Sequence, residues 1–275
     1  MTSILNKGAK PLTRTAFEDL RDGLCNWELW GRLAFLEVKR RYRRTTLGPF
    51  WSTASLAISI ALMGTFGGGL LKRDMSVYLP FLASGMVVWM MISSILNESA
   101  TVFTASAPLI RQTRFDYSIL AYSLVWRNFI VFLHNVGVYF VVALFFAPGV
   151  LFRPTVLLIL PGLFVIMATG AWVALLLGAV CSRFRDVRQL LTHVVHISLF
   201  ITPIFWPEDL LQGMRRILFV ELNPLYHFIN VVRAPLLGNL PPLSSYIVVV
   251  VVTVIGWTIT YAFFSRFRRR IALWS

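Results

Sequence analysis

Ionisable side chains are scarce wherever this chain is apolar. Its long uncharged runs hold three histidines, His134, His193 and His196, and Arg127 stands immediately ahead of one run. An imidazole or amide in such a run either relays protons or ties helices together by hydrogen bonds, and His134-Asn135 fits the second use better. His193 and His196 read the same way, and Arg127 can snorkel to a headgroup layer. No paired carboxylates, no H-E-x-x-H and no G-x-S-x-G lie in these runs, and a G-x-x-x-x-G-K-[ST] phosphate loop occurs nowhere. Cys25 and Cys181 are too far apart in sequence to imply a disulfide framework, and no metal-ligand set is expected. A chain so equipped is not expected to bind ATP by a phosphate loop or to couple transport to protons. It must conduct passively, be structural, or be driven by a partner.

The runs themselves set the architecture. Residues 50–71, 77–97, 128–152, 154–182, 189–207 and 234–265 contain no Asp, Glu, Lys or Arg. About 20 apolar residues, rising 1.5 Å each, cross a ~30 Å hydrocarbon core, so each run supplies one membrane-spanning helix. The expected fold is an all-α integral membrane protein with six transmembrane helices. Six spans and their connections nearly fill the 275 residues, leaving no room for a separate soluble catalytic domain. Two parts are expected: a cytoplasmic arm at 1–49 and a transmembrane domain at 50–275 with a basic tail.

Orientation follows from the cations. In the six-span arrangement, nineteen of the 26 Lys and Arg fall on the face carrying both termini and six on the other, with Arg127 at the start of the third run. Basic loops stay in the cytoplasm, so both termini are expected there. The formal net charge of +14 is then the signature of a membrane protein's inner face, and no nucleic-acid partner is expected.

Three connecting regions stand out. In 27–42, Trp27, Trp30, Ala34 and Val38 recur at spacings of three and four, with Glu28, Arg32 and Lys39 roughly opposite. This is an amphipathic interface helix, resting on lipid or, through Leu29, Leu33 and Leu36, partly against the bundle. Residues 98–116 can form a short helix along the membrane, presenting Leu109, Ile110 and Phe115 among Arg111, Gln112 and Arg114. That mixture suits a docking knob for a partner, and an ordinary interhelical loop is the alternative. In 208–240, Leu210, Met214, Ile217 and Leu218 keep a helical period, followed by the turn Leu222-Asn223-Pro224. With prolines at 203, 207, 224, 235, 241 and 242, this stretch reads as two short helices re-entering the outer leaflet.

The ordered set of motifs resembles a known family. RYRRTTLGPFW at 41–51, SRFRDVRQL at 182–190, TPIFWP at 202–207, NPLYHFINVVRAPLLG at 223–238 and the tail FSRFRRRIALWS are similar to stretches of polysaccharide-exporter permeases. These are the membrane subunits of ATP-binding-cassette exporters for O-antigen, capsule and teichoic acid, and the 223–238 segment favours the O-antigen branch. The resemblance implies a homodimer in a bacterial inner membrane with two cytoplasmic nucleotide-binding subunits, which hold the ATP and Mg. It implies an undecaprenyl-diphosphate-linked polysaccharide as cargo. Force would pass through the amphipathic helix and the 98–116 loop, so Leu109, Ile110, Arg111, Gln112, Arg114 and Phe115 become coupling residues. Leu47-Gly48 with Arg43 and Arg44 matches the cytoplasmic mouth, where the two cations meet either the diphosphate or lipid headgroups. Leu210, Met214, Ile217, Asn223, Pro224 and Tyr226 match an extracytoplasmic gate.

A glycan conduit needs weak, repeated contacts rather than one deep site, and Trp89, Tyr139 and Trp172 are candidate lining aromatics. For any single one of them, lipid-facing packing or an interfacial belt is the favoured reading. Two rival functions stay open. One is a small-molecule or drug permease of the same superfamily. The other is a membrane glycosyl- or acyltransferase, for which Asp116 and Glu98 are the only acids near an interface, with no partner pattern.

Overall fold

The computed structural model describes residues 15–43, 48, 50–112 and 116–274, and every regular element among them is helical. In chain order these are α1 (Ala16–Cys25), α2 (Trp27–Tyr42), α3 (Phe50–Leu71), α4 (Met75–Ser99), α5 (Val102–Ala105) and α6 (Ala107–Gln112). There follow α7 (Ser118–Phe146), α8 (Ile159–Arg183), α9 (Arg185–Ile201), α10 (Met214–Arg216), α11 (Pro224–Leu236) and α12 (Leu243–Trp274). Five helical stretches are long and apolar enough to cross a membrane: Phe50–Leu71, Met75–Ser99, Ser118–Phe146, Pro154–Arg183 and Leu243–Ile271. The chain is thus a multi-pass membrane protein by length and composition of its helices.

α4 is the central element, packed on α3, α7, α8, α9 and α11. Its residues are buried on every side, from Tyr78 through Trp89 to Ile95. A helix that is apolar all round belongs inside a bundle. α3 shows the opposite case, burying only a stripe of Leu56, Ile60, Gly64 and Gly68 against α4 while Ile58, Leu62, Phe66 and Leu70 face outward. α3 joins α4 through three residues. Lys72 takes φ 51° and lets the Arg73 amide return to the Gly68 carbonyl at 3.0 Å. Asp74 then caps α4 by accepting from the Ser76 amide at 2.9 Å, a bond that holds its carboxyl below the usual range.

Three boundaries differ from the sequence reading. The third spanning helix begins at Ser118, ten residues earlier than its uncharged run, because Arg127, which bounds that run, is paired with Glu37 and Glu98 and the helix start is held by Asp19. The last helix begins at Leu243 rather than 234, because Gly238 turns at φ 77° and Pro241-Pro242 follows. The stretch 189–207 is not one long helix. α9 ends at Ile201, and Thr202 is extended (φ −81°, ψ 138°), as the residue before a proline prefers.

Residues 208–221 also depart from a single amphipathic helix. Leu210 closes a 3-10 turn, and Gly213 at φ 57°, ψ −137° breaks the run in a conformation that a side chain would resist. The chain resumes as the single turn of α10 and a π-helical turn, Ile217–Glu221. α11 is the buried piece, enclosed by α4, α8 and α12, with Tyr226 to Leu236 all inaccessible.

α8 and α12 pack closely where Gly256 meets the Trp172 indole, since a Cβ at Gly256 would lie 2.2 Å from Trp172 Cε2. Gly256→Leu should wedge these helices apart and cost about 1–3 kcal/mol. The check is thermal melting in detergent, with Trp172→Ala restoring part of the loss. Unchanged melting of the single variant would contradict the close packing.

Candidate functional site

The basic residues gather at one end of the bundle, where α2 lies against α7. The stripe read from the sequence is packed from Trp30 onward and not at Trp27: Ala34 and Val38 are buried, and Trp30 meets Trp126 edge to face with ring centroids 5.5 Å apart. Trp27, Leu29, Phe35 and Leu36 stay exposed. Glu37 and Arg41 share the inward face and reach the most concentrated charge cluster among the described residues. Arg127 on α7 pairs with Glu37 and with Glu98 Oε2, the latter at 2.7 Å. Glu98, at the end of α4, also accepts from Arg41 Nη2 at 2.6 Å and from Asn128 Nδ2 at 2.8 Å.

Arg127 is therefore no headgroup anchor, because its side chain is only 13% exposed. A cation so placed must be compensated, and two carboxylates from different helices compensate it. Glu98 has partners on α2 and α7 that no sequence pattern announced. The arrangement joins α2, α4 and α7 at the point where the chain leaves α4 for 98–116.

A second ionic joint lies beside it. Asp19 of α1 is fully buried and accepts from the Tyr117 and Ser118 amides at 3.2 and 3.0 Å, at the N-terminus of α7. Arg268 of α12 donates Nε and Nη2 to the same carboxylate, both at 2.6 Å. A carboxylate at a helix N-terminus gains from the unpaired amides, and the guanidinium completes the balance. Tyr117 lies with its ring 5.7 Å from the Arg268 guanidinium carbon; burial pushes its phenol up, Arg268 opposes and Asp19 adds. No sequence pattern pairs residues 19 and 268.

Of the expected coupling residues, Leu109 and Gln112 are exposed on α6 and Ile110 is buried in the core. Arg111 closes the same short helix, while Arg114 and Phe115 lie outside the described residues. Of the cytoplasmic-mouth set, Arg43 is exposed and Gly48 turns at φ 55° ahead of α3, and Arg44 and Leu47 lie outside the described residues.

At the far end, Asn223 caps α11 by accepting from the Leu225 and Tyr226 amides and donates to Thr202 Oγ1 at 3.0 Å. Pro224 starts that helix, and Tyr226 is buried with its hydroxyl on Glu208. Leu210, Met214 and Ile217 are exposed. The described structure thus ties Asn223, Pro224 and Tyr226 together and leaves the other three on the surface. Arg233 is buried at the centre of this end. It donates to the Pro203 carbonyl at 2.5 Å, and its guanidinium carbon lies 4.5 Å from the centre of the Phe81 ring.

The aromatics and histidines take different places from one another. Trp89 and Tyr139 are core residues, with the Tyr139 hydroxyl on the Leu236 carbonyl, and Trp172 packs between α8 and α12. Among the described residues Trp89 and Tyr139 are thus buried and Trp172 is half-buried. His134 bonds its own helix at the Ile130 carbonyl, whereas Asn135 does bridge helices, accepting from Thr53 at 3.1 Å. His193 and His196 are exposed on α9.

Glu98→Ala should destabilise the fold by about 2–3 kcal/mol, below the range for a fully buried pair because 23% of the Glu98 side chain is exposed. Arg32→Ala, which breaks only the exposed 3.6 Å pair with Glu28, should cost under about 1 kcal/mol. Melting of both variants in one detergent compares them, and equal effects would refute the ionic joint.

Comparison with known proteins agrees with this architecture. Residues 29–237 match the family described as ABC-2 type transporter. An O-antigen export system permease protein RfbA of Myxococcus xanthus is 23% identical over 192 residues, 69% of this chain and 72% of that protein. Two proteins of the same description from Klebsiella pneumoniae are 28% and 25% identical, each over 64% of this chain and 67% of its own length. With the family covering most of a helical bundle keyed together at its basic end, the chain belongs to the ABC-2 type transporters.

Proposed function

We propose that this chain is the transmembrane subunit of an ATP-driven exporter that carries an undecaprenyl-diphosphate-linked polysaccharide, O-antigen in the first instance, out through a bacterial inner membrane. The observation that carries the reading is family membership together with relatives described as O-antigen export permeases. The subunit works as a homodimer with two nucleotide-binding subunits on its basic, cytoplasmic face, and those partners supply ATP and Mg. Both termini lie on that face.

Several features support this assignment. A push on α2 reaches α4 and α7 through the short ionic contacts of Glu37, Arg41, Glu98 and Arg127, while α5 and α6 follow directly in the chain from the end of α4 at Ser99. α9 provides the sixth crossing in two pieces. Its 17 residues span about 26 Å. The bent segment 202–207 then reaches the α3–α4 turn, where the Phe205 carbonyl accepts from Tyr78 and Asp209 pairs with Arg73. On the exposed side of α9, Gln189, His193 and His196 recur at four and three. A polar stripe at that depth is better placed along a hydrated conduit between two copies than against lipid. This stripe is a further candidate for the lining surface beside Trp89, Tyr139 and Trp172. The 208–221 turns and α11 form the extracytoplasmic gate, re-entering the outer end of the bundle.

Arg111→Glu combined with Arg114→Glu should leave the chain inserted but abolish association with its ATPase, lowering export at least tenfold in vesicles. Unchanged association and export would remove the docking assignment. Purified chain that alone turned over a lipid-linked sugar would instead identify a membrane transferase.

A further inference from the structure

At the far end, beside α11, lies a cavity of about 640 Å³ between the π-helical turn, α11 and the first turn of α12. That volume is within the range of clefts that hold small ligands, about 300–1,000 Å³. Most polar groups in its wall are already spoken for. The Tyr226 hydroxyl bonds Glu208, and Glu221 pairs with Arg216 at 3.7 Å. His227 is held at both ring nitrogens, by Ser245 Oγ and by the Glu221 carbonyl.

Asn230 is the exception. It lies on α11 at 8% exposure and lines the cavity, and its amide makes no hydrogen bond among the described residues. Its polar atoms are not among the sealed, unpartnered ones of the interior, so the amide stays open to the cavity and free to bond what enters it. Its two ends offer a donor and an acceptor side by side. Exposed Ser244 and Asn239 add further uncharged hydrogen-bonding groups at the rim.

We propose that this cavity is a carbohydrate subsite, in which Asn230 bridges adjacent hydroxyls of a sugar unit. The site selects a hydroxyl-rich, uncharged ring over an anion. Its cation Arg216 already pairs with Glu221, and Glu208 adds a carboxylate that would repel one. The proposal rests on the glycan-export reading and deepens it, placing a sugar contact at the outer end of the path.

The test uses the full chain in lipid nanodiscs with oligosaccharide released by mild acid from the host cell's surface polysaccharide, read by titration calorimetry. Wild-type protein should bind, and Asn230→Leu should weaken binding at least tenfold. Ser244→Trp, which fills the cavity from an exposed position and spares the core, should do the same, while the lipid-facing Val254→Ala should bind as wild type. If both cavity variants bind normally, the subsite is refuted and the export reading stands. The same holds if wild type binds nothing while the subunit with its ATPase still exports polymer. If export by that complex also fails, the export reading falls and the subsite with it.

Discussion

Burying a guanidinium in a helical bundle is tolerable only when carboxylates meet it, and Arg127 imposes that condition on everything around it. Glu98 must close α4 at the right height, and α2 must lie flat enough for Glu37 to reach inward. Arg41 and Asn128 then occupy the remaining lone pairs of Glu98. Removing one partner leaves charge in a medium that solvates it poorly, so the surface helix and the bundle are held as one unit. This fixes the position of α2, whose Trp27, Leu29, Phe35 and Leu36 still face outward.

Asp19 and Arg268 make the same demand at the chain ends. α1 contributes the carboxylate, α7 its unpaired amides and α12 the guanidinium, so first and last described helices meet at the start of α7. Gly23 lets α1 sit there, since a Cβ would lie 2.0 Å from Ser118 Oγ. Together the two joints tie the basic end across α1, α2, α4, α7 and α12. The far end is held differently. Arg233 donates to a main-chain carbonyl and stacks near Phe81, and the π-helical turn and Gly213 interrupt the backbone. One end is thus keyed by ion pairs between helices, and the other is built from interrupted turns around a buried helix.

Much of this was legible in the residues. Uncharged runs located the long helices because hydrocarbon excludes charge, and the α2 stripe marked its packed face because apolar side chains recur with the helical period. The turn at Leu222-Asn223-Pro224 was legible because an Asn cap followed by Pro starts a helix. Less was legible where distant residues decide. Run 128–152 underestimated α7, whose polar first turns are stabilised by Asp19 from another helix. The period of Leu210, Met214 and Ile217 promised a helix that Gly213 interrupts, and Trp89 and Tyr139 carried no mark of a core position.

By itself the sequence determined a helical membrane protein with long uncharged spans and an amphipathic helix at 27–42, since these follow from local composition and period. Tertiary structure alone decided which charges pair, that Glu98 and Asp19 are joints rather than solvated acids, and that α9 yields to an extended segment before the far end. The physical reason is range. Hydrophobic period acts over a few residues, whereas the partner of a buried charge is chosen by whichever helix packs beside it, here as many as 249 positions away.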